Sequence, residues 1–272
     1  MALSADILVA EYEDILEQTA LSLLRASRDR LPDLSSVCVF TPTGNLSRHF
    51  RRCLLEHLPA DRKAVMPPFT GTLRHWINDN VPLPDPAVNV LSAQARQLLF
   101  VEALAENPAL FKEENKWQVS TALLQLFDEL ALNEIGILEQ TRDEWMNTLQ
   151  QAYDCRQSNR HLQQEAGLVY TLWHAWQQQL EASKLLDAQG AYIERLRQAR
   201  QRVTHDRHFY LLVPDHLSAC EQHFIASLAE QHRCTIVDYS PHEDFAASSH
   251  RSTAAFIHAA FDIDTAPLKQ RA

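Results

Sequence analysis

Thirteen histidines and five cysteines raise the question of a metal centre first. Neither His205/His208 nor His216/His223 falls in an HExxH pattern, and no grouping of Asp, Glu and His has the spacing of a known site. The histidines therefore read as solvated or capping residues. Cys38, Cys53, Cys155, Cys220 and Cys234 are odd in number, widely spread and contain no CxxC, which argues against a disulfide framework and a zinc ribbon alike. No G-x-S-x-G elbow presents a serine nucleophile. The carboxylate pairs Glu113-Glu114 and Asp128-Glu129 read as solvated helix faces or polar loops. Phosphate loops need clustered glycines, so that backbone N–H groups can close on a phosphate. This chain has five glycines in 272 residues, and no two are close together. The usual ways of holding ATP or a dinucleotide are thereby excluded.

Basic residues are more suggestive. Arg48, Arg51, Arg52, His57, Arg62, Lys63, Arg74 and His75 crowd one segment with little compensating acid. The whole chain carries 25 Lys and Arg against 35 Asp and Glu, a net charge of −10. A basic coat over the entire surface is ruled out, while a local patch stands out as an asymmetry. Phosphate contact is its functional reading; the plainer one pairs these side chains with acids from the central helical segment. A second basic group, Arg195, Arg197, Arg200, Arg202, His205 and Arg207, reads as a charged helix end opposing the macrodipole.

The elements that must position these residues follow from periodicity. Ala5–Ala10 is a short apolar run, followed by helical spacing over Glu11–Arg28. Val37–Phe40 is a continuous apolar run, as expected of a strand covered on both faces. The turn Thr41–Asn45 leads to a helix over Leu46–His57, placing a polar turn where open α/β sheets bind ligands. Pro59–Thr70 reads as irregular and Thr72–Asn78 as a short helix. Between Ser92 and Arg202 the chain is rich in Leu, Ala, Gln and Glu, which predicts helices at Ser92–Glu106, Lys116–Leu132, Arg142–Cys155, Arg160–Ser183 and Gln189–Arg202. Strand patterning returns at Phe209–Val213 and Cys234–Val237, around a helix at Ser218–Gln231. No window is apolar for the ~18 residues a membrane span needs, and no basic leader precedes the first helix. The expectation is a cytoplasmic protein with no membrane partner and no cofactor.

Several of these residues together resemble a known family. Val37-Cys38-Val39-Phe40-Thr41-Pro42-Thr43-Gly44-Asn45, running into Leu46–Phe50, is similar to the T-x-T motif that follows the phosphate loop in UvrD-like superfamily 1 helicases. Phe69-Thr70-Gly71-Thr72-Leu73-Arg74-His75-Trp76-Ile77 resembles the next helicase segment, and Leu211–His216 with Glu221–Leu228 resembles the Walker B strand and its helix. Val169–Trp176, running on to Leu185-Leu186-Asp187, resembles the helical insertion of AddB-like subunits of AddAB-type helicase–nucleases.

The departures are as informative. At the phosphate-loop position stands Ala10-Glu11-Tyr12-Glu13-Asp14-Ile15, with no glycine, lysine, serine or threonine and with acids that repel phosphate. At the Walker B acids stands Pro214-Asp215. The resemblance implies a P-loop-NTPase-like, RecA-like α/β fold with a parallel sheet, inactivated and interrupted by a large all-helical insertion, mostly helical in total. The expected division is residues 1–90, a helical lobe over 91–203, and 204–272. The implied function is a non-catalytic, DNA-binding scaffold module for double-strand-break repair. Its partners would be single-stranded or unwound DNA and an AddA-like subunit. The family's PD-(D/E)XK nuclease pattern does not occur, so the chain reads as the N-terminal portion of such a subunit. Thr41, Thr43 and Thr72 take the backbone-contacting role by resemblance, with Arg48, Arg74 and His75 as phosphate neighbours. The alternative is an adaptor whose helical insertion binds a protein partner.

Overall fold

The structure, a computed structural model, describes residues 6–11, 14–59, 64–105, 115–134, 141–152, 160–202, 207–213, 217–231 and 233–240. It divides into two compact units, residues 1–81 with 196–272, and residues 82–195.

The first unit is a mixed α/β unit built on a five-stranded parallel sheet. Its strands are β1 (Asp6–Glu11), β2 (Val37–Phe40), β3 (Phe69–Gly71), β6 (His208–Leu212) and β7 (Cys234–Ser240), in the order β1-β7-β6-β2-β3. Val37–Phe40 and His208–Leu211 pair in register, Cys38 opposite Phe209 and Phe40 opposite Leu211, although the whole second unit lies between them in sequence. All four residues of β2 are buried, because helices cover both faces.

Alternation along the strands assigns those helices to layers. Val37, Val39, Tyr210, Leu212 and Val237 pack in one cluster with Ile15, Ala20, Leu23 and Leu24 of α1 (Ile15–Ala26) and Phe50 and Leu54 of α2 (Gly44–Glu56). The intervening side chains meet the other layer. Phe40 and Phe209 pack against Trp76 of α3 (Leu73–Asn80), at ring-centroid distances of 5.7 and 5.5 Å, and Trp76 stacks on Phe224 of α9 (Ala219–Glu230) at 6.3 Å.

Two expectations are corrected here. The segment read as irregular up to Thr70 contains β3, where Cys38 pairs with Phe69 and Phe40 with Gly71. The first helix begins at Ile15 rather than Glu11, because β1 runs on to Glu11 beside β7. Tyr12, Glu13, Arg62, Lys63, His205, Pro214-Asp215-His216 and the tail after Ser240 lie outside the described residues.

The second unit holds α4 (Ala93–Ala105), α5 (Lys116–Leu132), α6 (Arg142–Ala152), α7 (Arg160–Ala182) and the start of α8 (Ala188–Arg202). Ser92 caps α4, its hydroxyl accepting from the Ala95 N–H at 3.1 Å. The core is aromatic: Phe100 meets Phe127 and Trp176 edge-on, and Phe127 stacks on Trp173. Two short strands that periodicity missed, β4 (Asn89–Val90) and β5 (Leu185–Leu186), pair in parallel and bring the residues before α4 beside the link between α7 and α8. Beside them Arg96 sends two hydrogen bonds to the Asp128 carboxylate, at 2.9 and 2.7 Å, while its Nε stands 2.9 Å from Asp187 Oδ2. A guanidinium only 12% exposed on its side chain is thus matched by two acids.

Candidate nucleic-acid interface

Strands β2 and β3 are neighbours, so the turns that leave their carboxyl ends are neighbours too. The Thr41 N–H donates to the Gly71 carbonyl at 2.9 Å and joins them directly. From these turns spring α2 and α3. Thr43 caps α2, its hydroxyl accepting from the Leu46 N–H at 3.3 Å, and Thr72 caps α3, accepting from the His75 N–H at 3.2 Å. Neither helix carries an acid in its first turn. Two helix N-termini, each with uncancelled partial positive charge, therefore open at the same edge of the sheet.

Arg48 lies one turn into α2 and Arg74 at the start of α3, and both side chains are exposed. His75, also exposed, has Nε2 3.4 Å from Asp79 Oδ2, and its ring tilts over Phe69 at 5.9 Å. Thr43 is exposed and Thr72 half-buried. Thr41 is different. It is 4% exposed, and its hydroxyl is spent inside the turn, 2.6 Å from Ser47 Oγ and donating to the Thr43 carbonyl at 3.0 Å. Thr41 shapes the turn, while Thr43 and Thr72 present its surface.

The basic segment separates by partner. Arg51 donates to the Thr70 carbonyl at 2.6 Å and ties α2 to β3. Arg52 pairs with Glu56 on its own helix at 2.8 Å, and His57 with Glu17 of α1 at 3.1 Å. Arg52 and His57 thus pair with acids of the same α/β unit. Arg207, grouped in sequence with the charged helix end, stands instead directly before β6, outside α8. Its guanidinium lies 6.0 Å from the centroid of the Trp76 ring. Nearby Cys38 is buried, and desolvation pushes its thiol up to about 11 although Arg207 draws it down.

A crossover rule makes the same edge a candidate ligand site. The chain leaves β2 for α2 on one face of the sheet, and leaves the adjacent β6 for α9 on the other. Open parallel sheets bind ligands where neighbouring connections diverge in this way. At that point Val213, directly after β6, holds φ at 48°. Left-handed backbone is rare for a β-branched residue, and strained residues of this kind gather at functional sites. Among the described residues no group of three or more His, Cys, Asp or Glu could hold a metal ion. Nor, among the described residues, is any helix long and apolar enough to cross a membrane.

No family model matches the chain, and no curated protein matches it.

Proposed function

We propose that this chain is a non-catalytic, helicase-like module that holds the sugar–phosphate backbone of single-stranded DNA at the carboxyl edge of its sheet. The observation that carries this reading is the pair of adjacent threonine caps, Thr43 and Thr72, on helices whose first turns lack acids. Helix N-termini in that state favour phosphate, and exposed Arg48 and Arg74 sit on the same two helices. The contacts are to backbone, so the expected binding is sequence-independent and salt-sensitive. Its role is to bind and position rather than to make or break bonds. The resemblance of the T-x-T turn and its neighbours to UvrD-like helicases, and of the helical segment to AddB-like subunits, supplies the wider context. In that context the α/β unit is an inactivated RecA-like domain, and the chain works as a scaffold beside an AddA-like partner in DNA repair. Phe69, Thr70 and Gly71, which resemble the second helicase segment, pair as β3 with the strand that bears the first. Fluorescence anisotropy with a labelled oligonucleotide tests the reading: single strands bind, and Thr43→Val with Thr72→Val weakens that binding without altering the circular dichroism spectrum.

A second reading has its own observation. Leu98 on α4 is 49% exposed and Trp117 on α5 is 56% exposed, in the unit resembling the insertion. An adaptor would use such apolar residues against a protein partner.

A further inference from the structure

His57 ends α2 as its capping residue, and both of its ring nitrogens face acceptors. Nδ1 lies 2.9 Å from the Cys53 carbonyl oxygen one turn back, and Nε2 lies 3.1 Å from Oε1 of Glu17 on α1. A neutral imidazole carries one N–H and leaves one of these acceptors facing a lone pair; the imidazolium carries two and satisfies both. The surroundings favour that charge. A cation at the last turn of α2 opposes the partial negative charge of its carbonyls, and Glu17 stands in the first turn of α1, where an anion is favoured. The groups that face His57 among the described residues are Glu17 from α1 and Cys53 and Glu56 from its own helix. None of these is a cation.

We infer that protonated His57 is a pH-sensitive clasp, donating through both nitrogens to bind the end of α2 to α1, and that it opens when the ring loses its proton. The hydrogen bond to the Cys53 carbonyl, then Glu17 and Glu56, hold the histidine above its ordinary value, while partial burial works against them. A group raised in the folded state stabilises the fold fully below its unfolded value of about 6.5. That contribution is lost as pH rises through the folded value. The same helix carries Thr43 and Arg48 at its other end, so the clasp fixes the helix that presents the proposed phosphate contacts. It does not depend on that function being correct.

Carbon–proton NMR titration of the full chain tests the clasp, with the His57 resonance identified by its loss in His57→Gln. The expected midpoint lies above that of a free histidine and falls in Glu17→Gln. The melting temperature of wild type should exceed that of His57→Gln by more at pH 5.5 than at pH 8.5, values chosen about one unit or more either side of the ordinary histidine range. A midpoint at or below the free value, or one unmoved by Glu17→Gln, overturns the inference. So does a melting difference that is the same at both pH values. If His57→Gln does not fold, the resonance is assigned through its backbone correlations, and the Glu17→Gln shift alone decides.

Discussion

The hydroxyl oxygens of Thr41 and Ser47 stand 2.6 Å apart, one at the end of β2 and the other on the inner face of α2. This contact folds the T-x-T turn back on itself and aims the second threonine outward as a helix cap. A hydroxyl that sequence resemblance assigns to a DNA strand is engaged inside the protein. The exposed surface of the turn is left to Thr43.

Replacing Thr41 by Val keeps the shape and deletes the bond. Ser47 retains a weaker contact to the Thr43 carbonyl at 3.3 Å, so the expected loss is about 1 kcal/mol. The urea-unfolding midpoint measures it. An unchanged midpoint would show that the pair does not hold the turn.

Arg96 in the helical unit predicts a larger effect. Arg96→Met leaves Asp187, nearly fully buried, and the partly buried Asp128 without their cation. Breaking a buried pair from one side costs about 3–5 kcal/mol. Loss of the cooperative unfolding transition, or a midpoint shift of that size, is the expected outcome in chemical denaturation of the whole chain. The triple variant Arg96→Met, Asp128→Asn, Asp187→Asn recovers part of it, because no charge is then stranded.

Cysteine chemistry gives a pH-dependent check. Burial raises Cys38 to about 11 and Cys234 to about 12. A thiol reacts as its thiolate, and an ordinary cysteine titrates near 8.5. Both residues should resist iodoacetamide in the native protein at pH 8 and react once it is unfolded in urea, as read by peptide mass spectrometry. Rapid native labelling of either would contradict the two-face burial of the sheet.

Nucleotide binding is a further point of test. The sequence Ala10–Ile15 holds no glycine, lysine, serine or threonine, the residue types with which a phosphate loop holds its ligand. Calorimetry should detect no saturable binding of ATP and Mg²⁺ at micromolar concentrations. A clear isotherm would return the chain to the class of motors.

Much of the fold was legible because burial leaves strong periodic marks. Val37–Phe40 announces a strand covered on both faces by being apolar throughout, and the five long helices of 93–202 show themselves by their stripes. Strand β3 was not legible. It has three residues, follows two prolines and ends in glycine, so it exists through pairing with β2 rather than through its own pattern. The two-residue strands β4 and β5 were missed for the same reason.

Legibility of the site divides similarly. The sequence reading places Thr43 in a turn and Thr72 at the start of a helix, and the structure makes each of them a helix cap. Spacings of four residues also carry the Arg52–Glu56 and His75–Asp79 pairs. The Arg207–Trp76 and His57–Glu17 contacts join segments far apart in sequence, and no local pattern encodes them.

The central claim rests on phosphate contact at Arg48 and Arg74, and salt-dependent anisotropy with single-stranded DNA tests it most directly. Three or four neutralised phosphates predict a slope of about −2 to −3 in log K against log salt, at 0.7 per contact. With a net charge of −10 opposing association, the expected affinity is weak, about tens of micromolar. Arg48→Glu with Arg74→Glu should abolish binding and leave the melting temperature nearly unchanged, since both side chains are exposed. Equal affinity and equal salt slope for wild type and the double variant would contradict the account.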